Sequence, residues 1–100
     1  MDDRSVIAKR LKEARTRAGL SQKQLGIRAG IDEFSASPRI NQYERGKHTP
    51  DYSTVERIAK VLKLPTPYFY CRDDDLAQLI LHFSQLSSES RRKLLKAISK

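Results

Sequence analysis

Tryptophan is missing from this 100-residue chain, cysteine and methionine occur once each, and glycine and proline four times each. A lone Cys71 excludes an intramolecular disulfide and leaves no thiolate set for zinc. The two histidines, His48 and His82, lie far apart without the spacing of metal ligands, and each reads as a surface or packing residue. No metal and no cofactor is therefore expected. The chain also lacks a Ser-His-Asp order, a glycine-rich phosphate loop and a paired-carboxylate arrangement, so no enzymatic activity is expected either. No apolar run approaches the ~20 residues of a membrane-spanning helix, and no apolar signal segment follows Met1. A cytoplasmic protein with no membrane partner is the expectation.

Acidic charge is in the minority. Lys and Arg number 20 against 12 Asp and Glu, a net charge of +8, which favours a polyanionic partner. With 38% hydrophobic and 32% charged residues, the chain has material for one modest core under a solvated surface. The scarcity of glycine and proline leaves room for long uninterrupted helices, and an all-α fold is expected.

The most informative stretch is Ser21 to Gly46. Ser21 and Gln24 fit the S-x-x-Q capping box, in which each side chain satisfies a backbone N–H of the first turn, and Leu20 with Leu25 can form the accompanying hydrophobic staple. Gly30 supplies the left-handed residue that ends a helix, so Gln22 to Ala29 reads as one short helix. A second is expected from Ser37, as cap, and Pro38, at the first helical position, to Gly46. Ile40 and Tyr43, three apart, share its inner face. Its outer face carries Ser37, Pro38, Asn41, Gln42 and Arg45. Asn and Gln can pair bidentately with adenine, and Arg can pair with guanine or bind phosphate.

These segments, LSQKQLGIRAG, INQYERGKHTP and VERIAKVLKL, resemble the Cro/cI-type helix-turn-helix proteins of the XRE family, a group of bacterial and phage transcriptional regulators. The likeness covers about residues 5 to 70. A generic helix-turn-helix pattern is weak evidence, but the L-S-Q start, A-G turn and E-R-G-K-x-x-P exit in this order are specific. The resemblance implies an all-α, five-helix lambda-repressor-like DNA-binding bundle over residues 1–70, followed by a helical extension over 71–100. It implies a double-stranded DNA operator as partner and Gln22, Ser37, Pro38, Arg39, Asn41, Gln42, Arg45 and Lys47 as DNA-contacting residues. It also implies that Gln22 braces the second motif helix, and that Arg15 pairs with Glu44 to lock the first helix to it. One departure stands out: the IDEFSAS segment is longer than the usual family turn. It either lengthens the recognition helix at its N-terminus, bulges as a loop, or holds an extra helical turn.

Around the motif, Ile7, Leu11, Ala14 and Ala18 form the expected buried stripe of a helix over Ser5 to Ala18, with Lys9, Arg10, Lys12 and Arg17 facing solvent. Gly26 permits close approach of the two motif helices, and Ile27 is expected to pack under the loop against Phe34. Asp51 caps a scaffold helix to Leu62 with Val55, Ile58, Ala59 and Leu62 inward. Thr66 is expected to cap a short fifth helix with Pro67 first and Tyr68, Phe69 and Tyr70 serving the core rather than base stacking. Asp73 to Asp75 suit the N-terminus of the next helix. Leu76, Leu79, Ile80, Phe83 and Leu86, then Leu94, Leu95 and Ile98, recur at helical spacing and suggest a helical hairpin. It either packs back on the bundle or pairs with a second copy, and Arg91, Arg92, Lys93 and Lys96 read as its solvated face. The functional expectation is a sequence-specific regulator, a repressor acting as a homodimer. The alternative is a protein-interaction module on the same scaffold, such as an antitoxin whose C-terminal helices bind a toxin.

Overall fold

The computed structural model describes residues 3–99, with side chains described from Val6 onward, and every regular element among them is helical. The order is α1 (Asp3–Arg17), α2 (Gln22–Arg28), α3 (Glu33–Glu44), α4 (Tyr52–Leu62), a 3-10 turn (Thr66–Tyr70), α5 (Asp74–Gln85) and α6 (Ser88–Ile98). The five segments up to Tyr70 form the expected bundle and α5–α6 the hairpin.

Local chemistry sets most of the helix ends. Ser21 and Gln24 make the reciprocal capping box of α2. The Asp51 carboxylate accepts from the Thr54 N–H at 2.8 Å to start α4, and Asp73 and Ser87 cap α5 and α6 in the same way. At the other ends, Gly19, Gly30 and Gly46 take positive φ, and the following N–H reaches back to the last turn in each case: Leu20 to Arg15, Ile31 to Gly26, Lys47 to Gln42. Lys63 closes α4 in the same left-handed conformation without being glycine.

The core is built from Leu11 and Ala14 of α1, Leu25 of α2, Ala36, Ile40 and Tyr43 of α3, the predicted stripe Val55, Ile58, Ala59 and Leu62 of α4, and Tyr68 and Phe69 of the 3-10 turn. Each fully buried large side chain contributes roughly 1.5–3 kcal/mol. α5 joins this core through Ala77 and Leu81, whereas α6 buries no residue.

Several expectations are corrected. Ala18 is exposed, because α1 ends at Arg17 and the chain turns away at Gly19. Arg10, expected in solvent, is 3% exposed. Its Nε donates to the Cys71 carbonyl at 2.9 Å, its guanidinium lies over the Tyr68 ring, and it pairs with Asp74 at 2.9 Å. It thereby ties α1 to the junction before α5. Thr66 does not cap; the 3-10 turn starts after Pro65 without a side-chain cap, and Pro67 is its second residue. Tyr70 is exposed and stacks on Tyr52 at 6.1 Å instead of entering the core. Arg91 is not free in solvent: it donates to the Phe83 and Ser84 carbonyls at 3.0 and 2.7 Å and covers the Phe83 ring. These bonds cap the C-terminus of α5 and fold α6 back along it. No described helix is long and apolar enough to cross a membrane, and no group of potential metal ligands occurs among the described residues.

Candidate nucleic-acid interface

α2 and α3 are packed unusually tightly. A Cβ added at Gly26 would sit 2.7 Å from the Ala36 Cβ and 3.0 Å from the Ala36 Cα and carbonyl oxygen. Glycine at 26 and alanine at 36 are therefore both needed for this approach. It also explains the fate of the long IDEFSAS segment. Of the three conformations left open, it lengthens α3 at its N-terminus.

Ser37 is consequently not the cap and Pro38 is not the first helical residue. Asp32 caps instead, accepting from the Phe34 N–H at 3.0 Å, and Pro38 lies inside the helix. An interior proline removes one backbone bond, here the one to the Phe34 carbonyl, and costs on the order of 3 kcal/mol. Burial of Ala36 against Gly26 and the cap at Asp32 act against that loss. Ile27 and Phe34 do not cover each other as expected; they are 44% and 89% exposed.

Two groups of contacts, from Arg15 and from Gln22, fix the direction of α3, and a third ties α4 to the end of α2. Glu44, at its last turn, receives Arg15 Nε at 2.5 Å and Arg15 Nη2 at 3.0 Å, a two-pronged pair with the carboxylate almost fully buried. The hydrogen bonds from Arg15 to Glu44 hold the guanidinium above its ordinary pKa despite partial burial. Arg15 also donates to the Leu20 carbonyl at 2.9 Å, so the same side chain reaches the α1–α2 turn. From α2, the Gln22 amide nitrogen donates to Asn41 Oδ1 at 3.2 Å and to Glu44 Oε1 at 3.1 Å, and Ser37 Oγ leans on its oxygen at 3.5 Å. Finally, Arg57 of α4 donates to the Ala29 carbonyl at 2.9 Å and caps the end of α2.

The predicted site residues divide accordingly. Gln22, Ser37, Asn41, Glu44 and Arg15 are brought into one connected hydrogen-bonded row. Pro38, Arg39, Gln42, Arg45 and Lys47 are exposed and unencumbered by that row. Ile40 and Tyr43 are buried behind them. With each residue advancing by about 100°, Phe34, Pro38, Asn41 and Arg45 fall within about 60° of one another, Gln42 and Ser37 flank them, and Arg39 lies farther round. Arg45 and Lys47 place two cations at the end of α3, while Asp32 and Glu33 place two carboxylates at its start.

Sequence reasoning missed Arg57 and Arg10, whose roles depend on carbonyls 28 and 61 positions away and leave no local pattern. It also did not single out Phe34 as an outward-facing residue, because the helix was expected to begin after it.

Comparison with known proteins gives three findings. A family model for a helix-turn-helix domain matches residues 6–67. Over 68 residues, the chain is 31% identical to the HTH-type transcriptional regulator ImmR of Bacillus subtilis (strain 168), covering 68% of this chain and 50% of that protein. The chain thus spans about half the length of this curated relative. The crystal structure of the transcriptional regulator BswR is similar at a TM-score of 0.86 and 54% identity, over 91% of this chain and 90% of that one.

Proposed function

Because the chain belongs to the Cro/cI-type helix-turn-helix family of transcriptional regulators, we propose that it is a sequence-specific repressor that reads the major groove of a double-stranded operator with α3. The observation that carries this reading is the division of α3 into two faces. Ala36, Ile40, Tyr43 and Glu44 are held by the bundle, while Pro38, Gln42 and Arg45 are left in solvent. A helix pinned this way has few conformations to lose on docking, and its free polar groups suit base edges.

In this reading Gln42 pairs with adenine, and Arg39, Arg45 and Lys47 contact phosphate or guanine. Asn41 offers its amide N–H groups, since its oxygen already accepts from Gln22. Gln22 has committed its amide nitrogen to Asn41 and Glu44, so its phosphate contact falls to the backbone N–H at the start of α2, where the helix dipole favours an anion. Ser37 and Pro38 act from within the helix, not from its start.

A repressor of this kind acts in the cytoplasm as a homodimer. Leu76, Leu79, Ile80, Phe83, Leu95 and Ile98 line an open apolar groove between α5 and α6 with Pro65 and Pro67 at its edge. A second copy covers this groove in the proposed dimer and sets two recognition helices about one DNA turn apart, roughly 34 Å. The same exposed groove carries the second reading, a protein-interaction module that takes a different chain, such as a toxin.

Selection of duplexes from a random-sequence pool, with sedimentation of the free protein, tests both. The expected result is a two-fold symmetric site, a mass of two chains, and binding that weakens steeply with salt as counterions are released. Gln42→Ala should cost about 1–3 kcal/mol and relax preference at one position of each half-site. Unchanged affinity and site choice in that variant would refute the docking. A monomer that selects no sequence favours the protein-interaction module.

A further inference from the structure

We propose that Phe34 is a specificity-determining residue of α3 that packs on the C5-methyl group of a thymine in the major groove. This inference rests on the major-groove reading above and adds a contact to it.

Phe34 is the most exposed large apolar side chain described, at 89%, and the fold gives it no packing role. Of the exposed aliphatic residues, Leu76, Leu79, Leu95 and Ile98 share the groove of the C-terminal hairpin, and Ile27, half as exposed as Phe34, lies on α2. Phe34 stands apart from them, beside Ser35, Pro38, Arg39 and Gln42. It lies on the same side of α3 as Pro38, Asn41 and Arg45, and its backbone is held in the first turn of the helix by its N–H bond to the Asp32 cap at 3.0 Å. The residues at the start of a recognition helix are those that meet base edges.

The chemistry of this end of the helix selects the ligand. Asp32 fills the helix N-terminus with a carboxylate and Glu33 adds another, so the end repels phosphate. A neutral apolar feature remains, and in the major groove the thymine methyl is the one that a phenyl ring fits. Phe34 and Gln42 are eight residues apart along the helix, about 12 Å, so the thymine lies up to three or four base pairs from the adenine assigned to Gln42.

Duplexes are selected with the full chain and with Phe34→Ala and Phe34→Leu, and each thymine of the wild-type site is then replaced by deoxyuridine, which lacks only the methyl. The expected result is one thymine per half-site whose replacement weakens wild-type binding on the order of four-fold, the effect of burying one methyl group. Phe34→Ala should be indifferent to that replacement and should lose the thymine preference there alone, while Phe34→Leu keeps part of both. Equal deoxyuridine sensitivity in wild type and Phe34→Ala overturns the proposal, as does an unchanged selected site. So does a change of sedimenting mass in Phe34→Ala, which would assign the ring to a protein contact. Failure of the wild-type chain to select any sequence removes the major-groove reading itself; selection of a site that Phe34→Ala shares in full removes only the thymine contact.

Discussion

Replacing Gly26 by alanine sets two effects of opposite sign against each other. In a free helix the change stabilises by about 1 kcal/mol, because alanine has the higher helix propensity. In this bundle the new Cβ would meet Ala36 at 2.7 Å from its Cβ and 3.0 Å from its Cα and carbonyl oxygen. Those atoms belong to a buried alanine and to backbone, so no flexible side chain can swing aside. Overpacking of a filled interior costs typically 1–3 kcal/mol, and contacts this short with rigid atoms place Gly26→Ala in the upper half of that range. The net expectation is a loss of about 1–2 kcal/mol, with a fall in Tm of roughly 4–15 °C for a domain of this size. Relief requires α3 to move away from α2, and the Gln22–Asn41 bond at 3.2 Å spans the same gap. Operator affinity should therefore fall by more than the unfolded fraction explains. Urea unfolding gives the stability and titration of a labelled operator gives the affinity. A Gly26→Ala protein that is more stable by about 1 kcal/mol and binds normally would show that propensity rules at this position and that the helices are not in close contact.

Other outcomes follow from the ion pairs. Arg15→Met leaves the nearly buried Glu44 carboxylate with Gln22 as its remaining partner in the row, and should cost about 3–5 kcal/mol in denaturant unfolding. The Arg15→Met, Glu44→Leu double variant should lose less than Arg15→Met alone, and a larger loss would count against a desolvated carboxylate as the cause. At the α1–α5 junction, hydrogen bonds from Lys9 and then Arg10 hold the Asp74 carboxyl below the usual range. Its folded pKa is depressed, so its contribution is complete above the unfolded value near 4 and is lost as pH falls through the folded one. Asp74→Asn should flatten the decline of stability on acidification in that window while leaving the remaining carboxylates to titrate; an unaltered acid limb in thermal melts at successive pH values would contradict the assignment.

Most of this architecture was legible before any coordinates, because the signals were local. The capping box at Ser21 and Gln24, the Asp51 cap and the left-handed glycines at 19, 30 and 46 act over three or four residues and mark helix ends directly. The inward stripe of α4 followed from helical periodicity. The Arg15–Glu44 contact was anticipated only through family resemblance, since nothing local links positions 29 apart.

The sequence by itself determined where three of the four bundle helices run and which of their faces are apolar, since caps and periodicity are short-range properties of the chain. The start of α3 was decided by tertiary structure. Ser37-Pro38 is a good local helix start, yet the contact of Ala36 with Gly26 and the cap at Asp32 carry the helix through it. The burial of Arg10 was settled the same way, by carbonyls that only the folded chain brings within reach. So was the exposure of the C-terminal apolar face: α5 meets the bundle through Ala77 and Leu81, which turns Leu76 and Leu79 outward. Such choices depend on which distant surfaces meet, and a residue's own neighbours in sequence carry no record of that.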